Sequence, residues 1–258
     1  MALAQEPGSR QAMPDVPAPQ TRPVGDPQAL SIGVPVRIQD SLTTGYGEAI
    51  LQSVGIGTYV GRHGNGLAAP LSETLKVGVA PNLGVNLGLT NNVGDAGHAG
   101  WTVTPSFQYV FVKPHGYVPG LSVEGAYTPR PGTGLSGGSF GASGQLTQNL
   151  GSTIRSPRLH LNIEWTQLND ETRRARLQTF GYGAGVSALI SDRTAIVGDI
   201  FYSQTGARGD SQTFADLGIS TIIAPRLALS IGGGVGVDKS TPAGRVFISL
   251  STSFHLFD

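Results

Sequence analysis

The sequence predicts an all-β protein: a 12-stranded antiparallel, up-and-down transmembrane β-barrel preceded by a disordered, proline-rich N-terminal segment. Three observations support this fold class. The 258 residues include 38 Gly and 17 Pro, about a fifth of the chain against an average near 12 %, which excludes a helical bundle. Charged residues make up only 13 %, about half the usual share. From Gly47 onward, apolar and polar residues alternate in segments of about 10 to 14 residues.

The composition also excludes several classes of function. The 17 Lys and Arg residues balance the 17 Asp and Glu residues, so the chain lacks the basic footprint of a nucleic-acid-binding protein. Cysteine is absent, which rules out disulfides, thiolate metal sites, iron–sulfur clusters and cysteine nucleophiles. The five histidines show no metal-ligand spacing. We therefore expect no cofactor and no metal.

The N-terminal region predicts an exported protein. Residues 2–4, Ala-Leu-Ala, have the small-x-small form of a signal-peptidase site, so we expect a mature protein that begins near Gln5. Residues 1–28 are then a signal-peptide remnant and a disordered proline-rich lead. Residues 29–46 have some strand character and form either a periplasmic arm or an insert in the lumen. The barrel itself is expected over residues 47–258.

Twelve strands are predicted in that barrel. They span residues 47–60, 71–80, 83–93, 100–112, 117–129, 136–150, 157–168, 177–190, 193–204, 211–223, 226–236 and 245–257. Short turns follow the even-numbered strands, at Pro81-Asn82, Ser191-Asp192 and Ala224-Pro225 among others, whereas the remaining links are mostly longer. This sorting by length is typical of outer-membrane barrels, with short turns and the N-terminus in the periplasm of a Gram-negative bacterium.

The phase of the alternation separates a lipid face from a lumen face. In the seventh predicted strand, Leu159, Leu161 and Ile163 form one face, while His160 and Asn162 belong to the other. Charged residues fall on the polar face, so we expect that face to line a wet lumen. Alternation alone is equally compatible with a soluble sandwich, whose apolar face is inside. The sorting of the connections by length favours the barrel.

Aromatic residues near the strand ends predict two girdles at the lipid interfaces. On the side of the long loops these are Trp101, Tyr127, Trp165, Phe180, Tyr182, Tyr202, Phe214 and Phe247, and on the other side Phe111, Tyr117, Phe254 and Phe257. The last strand also resembles the terminal-aromatic signal read by the barrel assembly machinery. The residues that carry this signal are Val246, Ile248, Leu250 and Phe254.

Several stretches together resemble a known family. They are VRIQDSLTTGYGEAIL (36–51), TLKVGVAPNLGVNLGLT (74–90), RLHLNIEW (158–165), YGAGVSALISDRTAIVGDIFYSQ (182–204), DLGISTIIAPRLALSIGGGVG (216–236) and VFISLSTSF (246–254). In this order they resemble the outer-membrane transporter-like β-barrel family named after the phenol-degradation meta pathway, over roughly residues 34–254. The resemblance implies a barrel that helps small, often aromatic compounds to cross the outer membrane.

Inward ionisable residues are the candidate selectivity determinants. Glu124, Glu164 and Asp199 stand about six or seven residues from their short turns, so at ~3.3 Å per residue they reach similar depths. Asp216 extends this acidic arc, which we expect to favour cations or to orient a polar end of the solute. Alternatively, the carboxylates pair with lumen cations or with an inserted N-terminal arm. The other polar lining candidates are Lys76, Gln108, His160 and Asn162.

Inward glycines allow two interpretations. They are Gly78, Gly84, Gly88, Gly181, Gly183, Gly185, Gly232 and Gly234. Their missing side chains either widen the lumen or make room for neighbouring bulky groups. Twelve strands lie between the filled eight-stranded barrels and the open 16-stranded ones, so we expect a narrow lumen in either case.

The function predicted from these observations is passive passage of small molecules, including aromatic or hydrophobic ones, without catalysis. Two alternatives stay open: a barrel-embedded hydrolase that uses His160, and a closed structural or adhesion barrel. The expected partners are outer-membrane lipids and lipopolysaccharide, the barrel assembly machinery and a small-molecule solute, with no nucleic acid.

Overall fold

A computed structural model describes residues 37–59, 67–68, 70–91, 101–129, 138–153, 155–168, 177–205, 210–238 and 240–256. These residues contain twelve long strands: β1 Glu48–Tyr59, β2 Leu71–Ala80, β3 Leu83–Asn91, β4 Trp101–Val112, β5 Gly120–Thr128, β6 Ser139–Asn149, β7 Arg158–Gln167, β8 Gln178–Ser191, β9 Thr194–Gln204, β10 Ser211–Ala224, β11 Leu227–Gly236 and β12 Gly244–His255. A two-residue strand, Leu67–Ala68, pairs with the end of β1. The predicted disordered lead, 1–28, lies outside the described residues, as do residues 29–36.

The strands form one closed antiparallel barrel. Each strand pairs with its neighbours in sequence, and β12 pairs with β1 in an unbroken register from Glu48↔His255 to Tyr59↔Gly244. Closure leaves no sheet edge, so the strands satisfy one another's backbone hydrogen bonds all the way around the barrel. The predicted fold class is confirmed.

Two-residue turns follow β2, β8 and β10 at one end of the barrel, called here the turn end; the opposite end is the loop end. The connections after β4 and β6, at residues 113–119 and 150–157, also lie at the turn end but are longer than predicted. Pro81-Asn82 joins β2 to β3 as predicted. The turns after β8 and β10 lie one residue later than predicted, at residues 192–193 and 225–226. A register shift between Ile222 and Ala224 extends β10, and Arg226 closes that turn with a left-handed φ of 65°.

The outer surface is apolar and the interior is mostly small and polar. Ile163, Leu217 and Ile231 point outward with 66 %, 58 % and 60 % of their surface exposed, whereas Ser122 and Ser220 face inward and are fully buried. A soluble sandwich would show the opposite arrangement. Among the described residues, no helix is long and apolar enough to cross a bilayer.

The predicted aromatic girdles need one correction. At the loop end Trp101 and Phe180 are exposed, and at the turn end Phe111 and Tyr117 are exposed. Phe214 and Phe247, however, are buried inside the barrel. Both rings stand an even number of residues from inward-pointing residues of their own strands. In a β-strand this alternation decides which way a side chain points, whether or not it lies near the end of the strand. Phe257 lies outside the described residues.

Several inward glycines make room for neighbouring groups. A Cβ on Gly78 would overlap the carbonyl oxygen of Gly45, and a Cβ on Gly84 would overlap the Thr43 hydroxyl. A Cβ on Gly232 would likewise collide with the ring of Phe247. These positions are filled from inside, so they do not widen the lumen.

Candidate functional site

Residues 37–46 run through the barrel interior before β1 begins. Ile38, Ser41 and Thr44 are buried, with 5 %, 0 % and 8 % of their surface exposed. This segment, called here the lumen segment, makes contacts with inward side chains from β2 to β9. It therefore narrows the lumen. The predicted boundary at residue 29 lies outside the described residues.

Asp40 is the main anchor of the lumen segment. Its carboxylate accepts hydrogen bonds from Arg158 Nη1 at 3.3 Å, Thr147 Oγ1 at 3.1 Å and the backbone N–H of Leu42 at 3.2 Å. The N–H of Ser41 donates to Thr147 Oγ1 at 3.0 Å. The Asp40 and Arg158 side chains are 1 % and 9 % exposed. A buried carboxylate is tolerated here because a cation and several donors surround it.

His160 and Asn162 continue this buried network on β7. The His160 ring contacts Thr147 Oγ1 through Nδ1 at 3.1 Å and Ser187 Oγ through Nε2 at 2.8 Å. The Asn162 side-chain amide pairs with the backbone of Gln39. Its nitrogen donates to the Gln39 carbonyl at 3.2 Å, and its oxygen accepts from the Gln39 N–H at 3.1 Å. Both predicted lining residues therefore face inward, where they hold the lumen segment.

The predicted acidic residues all lie on the inner wall, and each is bound by a basic or donor group; Glu124 accepts from Ser106 Oγ at 2.7 Å. Glu164 pairs with Arg37 at 3.4 Å, and Asp199 accepts from the N–H of Ile38 at 2.9 Å. Asp216 forms a bidentate ion pair with Arg245, with one bond of 2.8 Å from Nε. These contacts correspond to the alternative in which carboxylates pair with lumen cations and an inserted arm. A role in ion selectivity stays a prediction.

A polar cavity remains beside the lumen segment. It has a volume of about 280 Å³ and lies between residues 39–44 and the wall formed by β1 to β5. Its lining includes the predicted candidates Lys76, Gln108 and Glu124, together with Gln52, Asn86 and Ser106. The volume is close to the lower limit of about 300 Å³ for small-molecule pockets. The cavity is therefore large enough for a small solute or several waters.

The opposite side of the interior carries an aromatic cluster that sequence reasoning missed. Phe201, Phe214 and Phe247 are 3 %, 7 % and 3 % exposed. The Arg37 guanidinium lies over the Phe201 ring at 5.1 Å, and that of Arg245 over the Phe214 ring at 4.3 Å. The alternation along each strand could have shown that these rings point inward, since each ring lies on the same face of its strand as a buried polar residue. The interior thus has a polar cavity on one side and, on the other, buried rings beside the Asp216–Arg245 ion pair.

The four residues of the predicted assembly signal lie on the outer face of β12. Val246, Ile248, Leu250 and Phe254 are 65 %, 54 %, 44 % and 38 % exposed. They stand on the strand that closes the barrel against β1. Recognition by the assembly machinery stays a prediction. Within the described residues, no group of three or more His, Asp or Glu side chains is placed to hold a metal ion.

Comparisons with known proteins bear on the fold. No protein-family model matches the chain, and no curated protein sequence matches it. Among solved structures, the fold is similar to the COG4313 outer membrane channel from Pseudomonas putida F1, at 12 % identity and a TM-score of 0.59, covering 85 % of this chain and 100 % of that one. It is also similar to the NanC porin, at 10 % identity and a TM-score of 0.56, covering 79 % and 98 %.

A third similar structure is the KdgM porin, at 10 % identity and a TM-score of 0.54, covering 80 % of this chain and 99 % of that one. Each of these chains is covered almost completely, so the likeness extends over the whole barrel. The low identities show a shared fold and nothing finer.

Proposed function

We propose that this chain is an outer-membrane channel through which small molecules pass passively, and that it catalyses no reaction. The observation that carries this proposal is a closed barrel that is apolar outside and encloses a polar cavity of about 280 Å³. An apolar outer surface needs lipid around it, and a wet interior gives solutes a path. The shared fold with an outer membrane channel and two porins supports the same proposal.

The location and partners follow from the same surface. We place the barrel in the outer membrane of a Gram-negative bacterium, with the turn end and the N-terminus in the periplasm. Its outward side chains contact lipid, and its loop end contacts lipopolysaccharide. The outward residues of β12 are available to the assembly machinery before β12 pairs with β1. The likeness to the phenol-degradation family remains part of this proposal, on the sequence stretches given above.

The solute is small, because the lumen segment leaves only a narrow space. The family resemblance favours an aromatic or hydrophobic solute, and the ring cluster on the other side of the interior supports this class. However, Phe201 and Phe247 are packed against glycines, and arginines lie over the rings of Phe201 and Phe214. The open space lies along the polar wall. We therefore place the path of the solute along the polar wall, with aromatic compounds as the second candidate class.

A hydrolase is the alternative with a specific observation behind it. His160 Nε2 lies 2.8 Å from Ser187 Oγ, within the range of a base and its nucleophile. Both side chains are buried: 2 % of the His160 surface and 4 % of the Ser187 surface are exposed. No substrate carbonyl therefore reaches the Ser187 hydroxyl in this arrangement. Ester hydrolysis by the folded barrel that disappears in His160→Ala would favour the hydrolase over the channel.

Liposome swelling tests the proposed channel. Refolded protein in liposomes is compared with protein-free liposomes, using neutral solutes of graded size: glycerol, ribose, sucrose and raffinose. A narrow lumen should admit glycerol and ribose and exclude raffinose. Swelling rates equal to those of protein-free liposomes for every solute would overturn the channel and favour a closed structural barrel.

A further inference from the structure

The polar wall beside the lumen segment carries an ordered row of side chains. Asn86 Nδ2 donates to Ser106 Oγ at 3.1 Å, and Ser106 Oγ donates to Glu124 Oε1 at 2.7 Å. Lys76 is the register partner of Asn86 on the neighbouring strand. The row thus spans β2 to β5, with an ammonium group at one end and a carboxylate at the other. All four side chains line the same cavity.

The two charges at the ends of this row do not pair with each other directly. Among the described residues, Lys76 Nζ makes no hydrogen bond and has no carboxylate within 4.0 Å. Glu124 accepts a hydrogen bond from Ser106, but unlike Glu164 and Asp216 it forms no ion pair with the described residues. An ammonium and a carboxylate therefore line the same cavity without pairing with each other.

The rest of the lining favours a molecule that is polar but uncharged overall. Lys76 and Glu124 are the charged residues among those that line the cavity, so their charges cancel. A free anion there would be repelled by Glu124, and a free cation by Lys76. A molecule with a carboxylate at one end and an ammonium at the other would satisfy both. Hydroxyl and amide groups such as those of Thr74 and Gln108 supply further hydrogen bonds.

We propose that this cavity is a binding subsite for small zwitterions that carry one carboxylate and one ammonium group, as amino acids do. The carboxylate would lie against Lys76 and the ammonium against Glu124. As a step in permeation, this subsite rests on the channel function proposed above. Binding itself does not require flux, so the two are tested separately.

Equilibrium dialysis of the refolded full-length protein in detergent tests the subsite. The labelled probe is 4-aminobutanoate, and the competitors are pentanoate and butylammonium, which each keep only one of its charges. We expect 4-aminobutanoate to bind at least about tenfold more tightly than either competitor, as expected for loss of one charge-assisted hydrogen bond. Equal affinity for all three molecules would overturn the proposal.

Variants locate the site. Lys76→Met and Glu124→Gln should each weaken binding of 4-aminobutanoate about tenfold or more, and the swap Lys76→Glu/Glu124→Lys should retain the preference for the zwitterion. Lys113→Met is the matched control, because Lys113 donates to the Pro81 carbonyl at 2.9 Å at the turn end and does not line the cavity. Unchanged binding in Lys76→Met would overturn the assignment.

The channel and the subsite fail in different ways. Zwitterion binding without swelling in any neutral solute would support the subsite and refute the channel. Swelling without preferential binding of the zwitterion would support the channel and refute the subsite.

Discussion

At the scale of single residues, the interior is organised by charges that are paired inside the barrel. Strand phase predicts correctly from sequence that Glu164, Asp199 and Asp216 point inward. Their partners could not be predicted, because Arg37 and Ile38 lie 127 and 161 positions away from Glu164 and Asp199. The sequence gives no local signal for contacts across such distances.

Asp40→Asn tests the anchor of the lumen segment. The substitution leaves the buried Arg158 guanidinium without its carboxylate partner, which costs about 3 kcal/mol, so the segment should detach from the wall. We expect a larger single-channel conductance than in the wild type. Asp192→Asn is the matched control, because Asp192 forms an exposed ion pair with Arg155 and such pairs contribute little. Equal conductance in all three proteins would contradict the anchoring role.

At the scale of elements, the strands could be predicted, whereas a lumen insert was only one of two alternatives for residues 29–46. Period-two alternation and turn lengths identify β1 to β12. The predicted bounds differ by one residue at the turns after β8 and β10, and by three residues at the starts of β5 and β6. Residues 37–46 have no such period, because their surroundings come from eight different strands. Interior glycines were equally ambiguous. Only the structure shows that the spaces at Gly78 and Gly84 are filled by this segment.

A designed cross-link tests where the lumen segment lies. A Cβ built on Gly84 stands 3.4 Å from the Thr43 Cβ, close to the ~3.8 Å typical of disulfides. Thr43→Cys/Gly84→Cys should therefore form a disulfide on oxidation, detected as a shift in gel mobility that reductant reverses. The chain has no other cysteine to compete. Thr43→Cys/Val85→Cys should not cross-link, since Val85 points outward and is 43 % exposed. Cross-linking in both would contradict the placement.

The loop between β11 and β12 has a pH dependence that can be measured. Asp238 Oδ1 accepts hydrogen bonds from the hydroxyl and N–H of both Thr241 and Ser240. The hydroxyls of Thr241, Ser240 and Thr213 hold the pKa of Asp238 well below its ordinary value of 3.8. Because the pKa is lowered in the folded state, this stabilisation is complete above the ordinary value and is lost as the pH falls through the lowered one.

We therefore expect the Thr241 amide to exchange its hydrogen slowly down to about pH 3, below the ordinary pKa of aspartate. Asp238→Ala should remove this protection at every pH, whereas Asp210→Ala in the preceding loop should not. Hydrogen exchange of the folded barrel measures both. Loss of protection near the ordinary pKa in the wild type would contradict the hydrogen-bonded loop.

At the scale of the whole molecule, the barrel separates an apolar exterior from a divided interior. Composition, alternation and loop lengths were sufficient to predict the closed 12-stranded barrel, since closure satisfies backbone groups that lipid cannot. They were not sufficient to predict the division of the interior. The division depends on the register of the strands. This register places Phe201, Phe214 and Phe247 away from the polar wall of β2 to β5.

Single-channel recording in planar bilayers tests the central claim, that small solutes pass through a lumen narrowed by the lumen segment. The sample is refolded full-length protein whose unheated and boiled forms migrate differently on a gel, as folded barrels do. We expect the wild-type barrel to give discrete, small conductance steps, and Asp40→Asn to give larger ones. A folded barrel that produces no steps in either form would contradict it.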